Sequence, residues 1–245
     1  MRRWSDEAWE AALPVYREIL AHPFVEALAA GTLSDEQFRF YIRQDALYLD
    51  GYARRLAHVA ARLTDKGHTE SFLRFALDGI AVERALHAQF LNGDIPAPGE
   101  ISPTCLLYTS VLNAQALAPV EVEAAAVLPC FVVYQRVGEA ILARAKGNGR
   151  PAADGQAASS ATNANTLAGA EADKPLAENP YRSWIETYAD PGFAASTERA
   201  MQICDELAAA AGEETRRQMT DIFVRCTRME WLFWDSAWNL ENRKI

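Results

Sequence analysis

Apolar side chains recur at intervals of three and four residues along most of the chain, the spacing of a helix that buries one face. The segment FRFYIRQDALYLDGYARRL, residues 38–56, shows this pattern most clearly. We find no stretch in which apolar and polar residues alternate between turn residues, as they would in a half-buried strand. The pattern therefore predicts an all-α protein, most simply a single helical bundle.

Several helix ends can be placed from local signals. Ser34 followed by Gln37 matches a capping box and predicts a helix that runs to about residue 63. Ser102 before Pro103 predicts a second start, and Pro119 predicts a third, for a helix that ends at about residue 146. Two further long helices are expected at about 69–91 and 213–240.

Carboxylates interrupt the apolar faces of three of these helices. Asp45 lies in the face of the first long helix, Glu83 in that of the next, and Glu230 in that of the last. A buried carboxylate must be neutralised, paired or hydrogen-bonded, because burying it alone costs several kcal/mol or more. One such acid is most simply a structural ion pair, but three of them favour a shared polar pocket.

A thiol and phenols occur at neighbouring interior positions. Tyr134 lies one helical turn after Cys130, and Tyr48 lies one turn after Asp45, so each pair shares a helix face. Taken singly, a cysteine or a tyrosine at such a position is usually an ordinary core residue. Their occurrence together with the buried acids predicts one polar site inside the bundle.

Composition restricts the class of protein. The 245 residues suffice for a single domain spanning 1–245, and the net charge of −9 disfavours nucleic acid or an anionic membrane as a partner. The longest apolar run, AAAVLPCFVVY, has eleven residues and contains a proline, which is too short for a membrane span. The N-terminal segment lacks the apolar core of a signal peptide, so we expect a cytoplasmic location. No zinc-like or CxxC spacing is present, and free thiols are expected at Cys105, Cys130, Cys204 and Cys226.

Residues 147–178 differ in composition from the rest of the chain. They are rich in Ala, Gly, Asn, Ser and acidic residues, with Leu167 and Leu176 as the only large aliphatic side chains. Such a segment has too little apolar surface to fold alone, so we interpret it as a low-complexity insertion. A surface loop that is dispensable for folding and chemistry is the simpler reading, and a lid over a pocket is the alternative.

Five segments resemble, in order and spacing, the signatures of the TenA family, the thiaminase II enzymes. The resemblance covers nearly the whole chain outside the insertion. It implies an all-α bundle like that of haem oxygenase, usually a homotetramer, acting on the aminopyrimidine moiety of thiamin or of its breakdown products without a cofactor or metal. The segments are HPFVEALAAGTLSDEQFRFYIRQDALYL, SPTCLLYTS, AAAVLPCFVVYQRVGE, YRSWIETYAD and FVRCTRMEWLFWDSAW.

The resemblance also implies roles for individual residues. It makes Cys130 the nucleophile, Glu230 its acid–base partner, and Asp45 the group that binds the amino group and a ring nitrogen of the pyrimidine. Glu83 matches an acid with a supporting role, and Trp238 departs from the family in replacing a usual tyrosine. Four further residues match tyrosines that line the family's pocket: Tyr48, Tyr108, Tyr134 and Tyr188.

The expected reaction is hydrolysis of 4-amino-5-aminomethyl-2-methylpyrimidine to hydroxymethylpyrimidine, with thiamin as a second substrate. The preferred leaving group and the origin of the Cys130 reactivity stay open at this stage. A di-metal carboxylate oxidase using Asp45, Glu83, His87 and Glu230 is one alternative, although no Glu-x-x-His pair is present. A non-catalytic regulatory or pyrimidine-binding protein is the other, with direct DNA binding disfavoured by the charge.

Overall fold

The structure is a computed structural model that describes residues 2–91, 93–94, 96–145 and 174–241. The structure also does not describe the side chains of Glu83, Leu86 and His87. Most of the predicted insertion, residues 147–173, therefore lies outside the described residues. The same holds for the side chains that would give Glu83 and His87 their predicted roles.

The described residues form nine α-helices and contain no strand, which confirms the all-α prediction. Three short 3₁₀ turns at Pro98–Glu100, Gln115–Leu117 and Leu176–Glu178 accompany them. In chain order the helices are α1 Trp4–Leu20, α2 Pro23–Ala30, α3 Asp35–Arg62, α4 Lys66–Phe90, α5 Pro103–Ala114, α6 Val120–Ala145, α7 Arg182–Tyr188, α8 Pro191–Ala210 and α9 Glu213–Trp238.

The predicted helix caps are present. The Ser34 hydroxyl accepts a hydrogen bond from the Gln37 backbone amide at 3.2 Å, and Ser102 caps α5 in the same way. The Gln37 side chain is used differently from that of a capping box. Its Nε2 donates to the Trp238 carbonyl at 2.7 Å, and this bond ties the start of α3 to the end of α9.

Helix α6 is the central helix of the bundle. It packs most extensively against α9 and also contacts α3, α7 and α8. By length and composition α6 could cross a membrane, because an 18-residue stretch of it has a mean hydropathy of 1.4. However, 67% of that stretch is buried inside the protein. The burial is that of a core helix, and it makes α6 the surface on which a central site can be built.

One glycine of α6 sets the position of α7. A Cβ atom added to Gly138 would lie 2.8 Å from the backbone carbonyl carbon of Tyr188, so only glycine allows this close approach. The end of α7 thereby rests directly on α6, which brings Tyr188 beside the centre of the bundle. A second contact, in which Lys174 Nζ donates to the Gly31 carbonyl at 3.0 Å, attaches residues 174–178 to the end of α2. That end of the predicted insertion is thus part of the packed structure.

Candidate active site

Helix α3 places a row of polar side chains on its inward face. Tyr41, Asp45, Tyr48 and Tyr52 follow one another at intervals of four, three and four residues, so they share one side of the helix. All four are buried, and Asp45 is only 3% exposed. Asp45 is not isolated, since it interacts with other groups of the chain and its charge acts on the ionisation of Glu230.

Glu230 faces this row from α9. It is 1% exposed, and its Oε1 accepts a hydrogen bond of 2.6 Å from the hydroxyl of Tyr108 on α5. Burial raises the pKa of Glu230 to about 8, the charge of Asp45 also raises it, and the Tyr108 bond partly opposes them. The carboxyl group therefore holds its proton at neutral pH and can act as a general acid.

Cys130 approaches the same region from α6. Pro129 precedes it and has no amide hydrogen, so the helix lacks one internal hydrogen bond just before the cysteine. The Tyr52 hydroxyl donates to the Val127 carbonyl at 2.7 Å, which holds this part of α6 against α3. Cys130 itself is partly exposed, because it lines a cavity of about 90 Å³.

The surroundings of Cys130 keep its thiol protonated in the empty site. Burial raises the pKa of the thiol well above its usual value, and the negative charges that Glu230 and Asp45 carry when ionised raise it further. The nearby hydroxyls of Tyr48 and Tyr52 act in the opposite direction. A ligand that compensates the negative charge of Asp45 would therefore favour the thiolate, which is the reactive form.

Two hydrogen bonds in series hold the hydroxyl of Tyr134 in place. The Trp184 indole nitrogen donates to the Tyr41 hydroxyl at 3.3 Å, and the Tyr41 hydroxyl donates to that of Tyr134 at 3.2 Å. The Tyr134 ring also packs against Tyr188 and Trp234, with centroid distances of 4.8 and 5.2 Å. Its orientation is thus determined by contacts from three helices.

The Tyr48 hydroxyl is buried and makes no hydrogen bond of ordinary geometry within the described residues, although it lies close enough to Cys130 to lower the pKa of the thiol. Its ring lies 4.7 Å from that of Tyr108 and 5.8 Å from that of Phe233, so the side chain is packed in place. A buried hydroxyl without a partner costs about 1–3 kcal/mol. A ligand that supplied the partner would recover this cost, which makes Tyr48 a marker of the binding site.

The structure brings together the residues predicted for the site from five helices. Asp45 and Tyr48 come from α3, Tyr108 from α5, Cys130 and Tyr134 from α6, Tyr188 from α7 and Glu230 from α9. Sequence reasoning missed Tyr41, Tyr52 and Trp184. The interval of four residues from Tyr48 could have indicated Tyr52.

The described residues contain no group of three or more His, Cys, Asp or Glu side chains that could hold a metal ion. Glu83 and His87, which the di-metal alternative requires, have side chains outside that description. Asp45 and Glu230 are therefore the two members of the alternative metal set whose surroundings are described.

Comparison with known proteins identifies the family. The model of the TENA/THI-4/PQQC family matches residues 9–240. This chain belongs to that family. An aminopyrimidine aminohydrolase of Bacillus subtilis is 29% identical over 245 residues, which cover 98% of this chain and 91% of the relative. The thiamine biosynthesis multifunctional protein ThiED of Corynebacterium efficiens is 34% identical over 238 residues and 94% of this chain, but the chain spans only 28% of that protein.

Solved structures of TenA homologues share the fold of this family member. A homologue from Pyrococcus horikoshii has a TM-score of 0.75 at 23% identity and covers 97% of this chain and 99% of its own. One from Pyrococcus furiosus has a TM-score of 0.77 at 18% identity and covers 96% and 99%. At these identities the likeness shows the all-α fold and leaves the chemistry to be argued from the site.

Proposed function

We propose that this protein is a hydrolase of thiamin salvage that converts aminopyrimidine breakdown products of thiamin to hydroxymethylpyrimidine. The observation that carries the proposal is a buried Glu230 whose raised pKa keeps it protonated, close enough to Cys130 for the two groups to affect each other's ionisation. Relatives named aminopyrimidine aminohydrolase, 28–29% identical over nearly their whole length, support the same reaction.

The side chains of the site suit an aminopyrimidine ring. Asp45 can accept hydrogen bonds from the amino group, and Glu230 can donate one to a ring nitrogen. Tyr48 offers the buried hydroxyl that makes no hydrogen bond of ordinary geometry within the described residues. Tyr134 and Tyr188 present aromatic surfaces that can pack against the ring.

In the proposed reaction, Cys130 is the nucleophile and Glu230 is the proton donor. Cys130 Sγ adds to the ring carbon next to the one that bears the CH₂–NH₂ group, while Glu230 gives its proton to a ring nitrogen. The amine then leaves from the CH₂ group, water adds there, and the sulfur departs as the ring regains its aromatic electrons. Protons taken up during addition are returned during release, so the net reaction consumes one water and liberates one ammonia.

The substrate class is a small pyrimidine. A homotetramer, as the family resemblance implies, and a cytoplasmic location complete the proposal. No cofactor takes part in the steps above, because the thiol supplies the nucleophile and the carboxylic acid supplies the proton.

Turnover tests the proposal. The purified protein is incubated with 4-amino-5-aminomethyl-2-methylpyrimidine and, separately, with thiamin, and hydroxymethylpyrimidine is quantified by liquid chromatography. We expect both substrates to give this product, with a higher kcat/KM for the amine. Absence of product from both substrates would contradict the proposed function.

A further inference from the structure

The cavity beside Cys130 extends from the site towards the protein surface. Its inner end is formed by Cys130, Tyr52 and Tyr188, which belong to the reactive site. Its outer end is formed by residues of α4 and α8, namely Asp78, Gly79, Val82 and Ser196. Asp78 and Val82 are exposed there, so this end meets solvent.

The chemistry of the ring determines which part of the substrate faces this cavity. In the proposed reaction, the carbon attacked by Cys130 is adjacent to the carbon that carries the leaving group. The leaving group must therefore lie on the same side of the ring as the sulfur. Because Asp45 and Glu230 bind the polar edge of the ring, the cavity that begins at Cys130 is the space left for the leaving group.

The charge at the outer end is negative. Asp78 is the one carboxylate among the described residues that line the cavity, whose other walls are mainly apolar. The nearest cation along α4 is Arg74, one turn earlier, and its guanidinium is bound to Glu70 at 2.7 Å. Arg74 thus shares its charge between Glu70 and Asp78, and a negative charge remains at the mouth of the cavity.

The size of the cavity limits the leaving group. A volume of about 90 Å³ exceeds the roughly 10–15 Å³ that a cavity needs to hold a water-sized group such as an ammonium. It is smaller than the roughly 150 Å³ of a cavity that holds a benzene ring. A primary amine enters this space completely, whereas a thiazolium ring must protrude past Val82.

We propose that this cavity is the leaving-group subsite and that Asp78 is a specificity-determining residue. Asp78 attracts the protonated amine of the substrate, and the walls favour this small cation over a bulky ring. A primary alkyl amine carries a proton at pH 7, so the charge complementarity holds under the conditions of the reaction. The inference rests on the proposed function and adds the determinant of substrate choice.

Binding measurements test the subsite separately from catalysis. In a Cys130→Ser background, calorimetry compares the aminomethylpyrimidine, a cation, with hydroxymethylpyrimidine, which is neutral at the same position. We expect Asp78→Asn to weaken the amine about fivefold at low salt and the alcohol less than twofold, because an exposed charge acts modestly and is screened by salt. The matched control is Glu18→Gln, the same loss of an exposed charge on α1, a helix that contributes no described residue to the cavity, and it should leave both affinities within twofold.

A second variant tests the role of size. Val82 is 38% exposed, so Val82→Ala should fold normally. It should raise the ratio of kcat/KM for thiamin to kcat/KM for the amine about threefold, because only the larger leaving group protrudes past this side chain.

The results of these experiments distinguish failure of the leaving-group subsite from failure of the proposed function. An unchanged ratio of amine to alcohol affinity in Asp78→Asn, or an equal loss for both ligands, would overturn the role of Asp78. An unchanged preference between thiamin and the amine in Val82→Ala would overturn the limit on size. Failure of the unmodified protein to turn over either substrate would instead reject the proposed function.

Discussion

Two glutamates of this protein are equally buried but have different polar neighbours. Glu123 on α6 and Glu230 on α9 are each 1% exposed. Glu123 is paired with Arg62 at 2.6 Å and with His58 at 2.7 Å. Glu230 accepts a 2.6 Å hydrogen bond from the Tyr108 hydroxyl, and no cationic side chain of the described residues lies within ion-pair distance of it.

The difference shows how the neighbours of a buried acid decide its use. The buried carboxylate of Glu123 contacts Arg62 and His58 and joins α6 to α3, as a structural ion pair does. Glu230 avoids the cost of burying a charge by keeping its proton, which is why its pKa rises to about 8. A group that holds a proton at neutral pH can give it to a substrate.

The raised pKa of Glu230 has a consequence for stability. Between its usual pKa of 4.5 and about 8, the folded protein holds a proton that the unfolded chain releases. The contribution of this group is therefore complete below about pH 4.5 and is lost as the pH rises through 8. The free energy of unfolding that the neutral Glu230 contributes should therefore be lost above about pH 8.

The largest effect that distinguishes the site from the ordinary core is expected at Cys130. Cys130→Ser removes the nucleophile but keeps a side chain of similar volume, so hydrolysis should fall by at least about a thousandfold while pyrimidine affinity changes by less than about tenfold. Steady-state kinetics and calorimetry measure the two quantities. Cys204→Ser is the control, because Cys204 is a buried thiol outside the site, and it should keep most of the activity. Near-normal turnover by Cys130→Ser would reject the covalent route and leave Glu230 acting on water.

A smaller effect is expected at Asp45. Asp45→Asn keeps the size but removes the charge that attracts the amino group, so affinity for hydroxymethylpyrimidine should fall about thirtyfold, as expected for a hydrogen bond to a charged group. The free energy of unfolding, measured with urea, should change by less than about 1 kcal/mol. The lost interactions of the buried carboxylate are offset, because its removal also removes a negative charge that opposes the ionisation of Glu230. A variant that unfolds readily yet binds the product normally would make Asp45 a structural acid like Glu123.

The smallest effect is expected at Tyr41, which lies behind the site. Tyr41→Phe keeps the ring but removes the hydroxyl between Trp184 and Tyr134, so kcat should fall about fivefold while KM changes little. The matched control is Tyr181→Phe, which removes another buried hydroxyl, one that donates to the Leu33 carbonyl at 2.6 Å. Both variants should lose about 1 kcal/mol of unfolding free energy. An equal fall in kcat for the two would show that the Tyr41 chain has no positioning role.

The sequence predicts the long helices well because each has a clear apolar face. The structure begins α3 at Asp35 after the Ser34 cap and α5 at Pro103 after the Ser102 cap, as expected. Helix α7 has seven residues, too few to show a period, and its position depends on the close approach of Tyr188 to Gly138. Such an approach is visible only when the helices are packed.

The candidate site was predictable in part. Asp45 and Glu230 interrupt apolar faces, and an interruption can be seen in a sequence. Tyr41 and Tyr52 cannot be distinguished in this way, because a tyrosine satisfies an apolar pattern whether or not its hydroxyl has a role. The bond from Tyr108 to Glu230 joins residues 122 positions apart, and no local pattern contains that information.

The most direct measurement compares Glu230→Gln with Glu123→Gln in the same two assays at pH 7. We expect Glu230→Gln to lower kcat by about a hundredfold, the usual scale for a general acid, and to leave the free energy of unfolding unchanged or higher. We expect Glu123→Gln to keep kcat within about threefold and to lower the free energy of unfolding by about 2 kcal/mol, because Arg62 and His58 lose their partner. If Glu230→Gln instead destabilises the protein as Glu123→Gln does, and each folded molecule retains normal turnover, then Glu230 is a structural acid and the proposed proton donor is wrong.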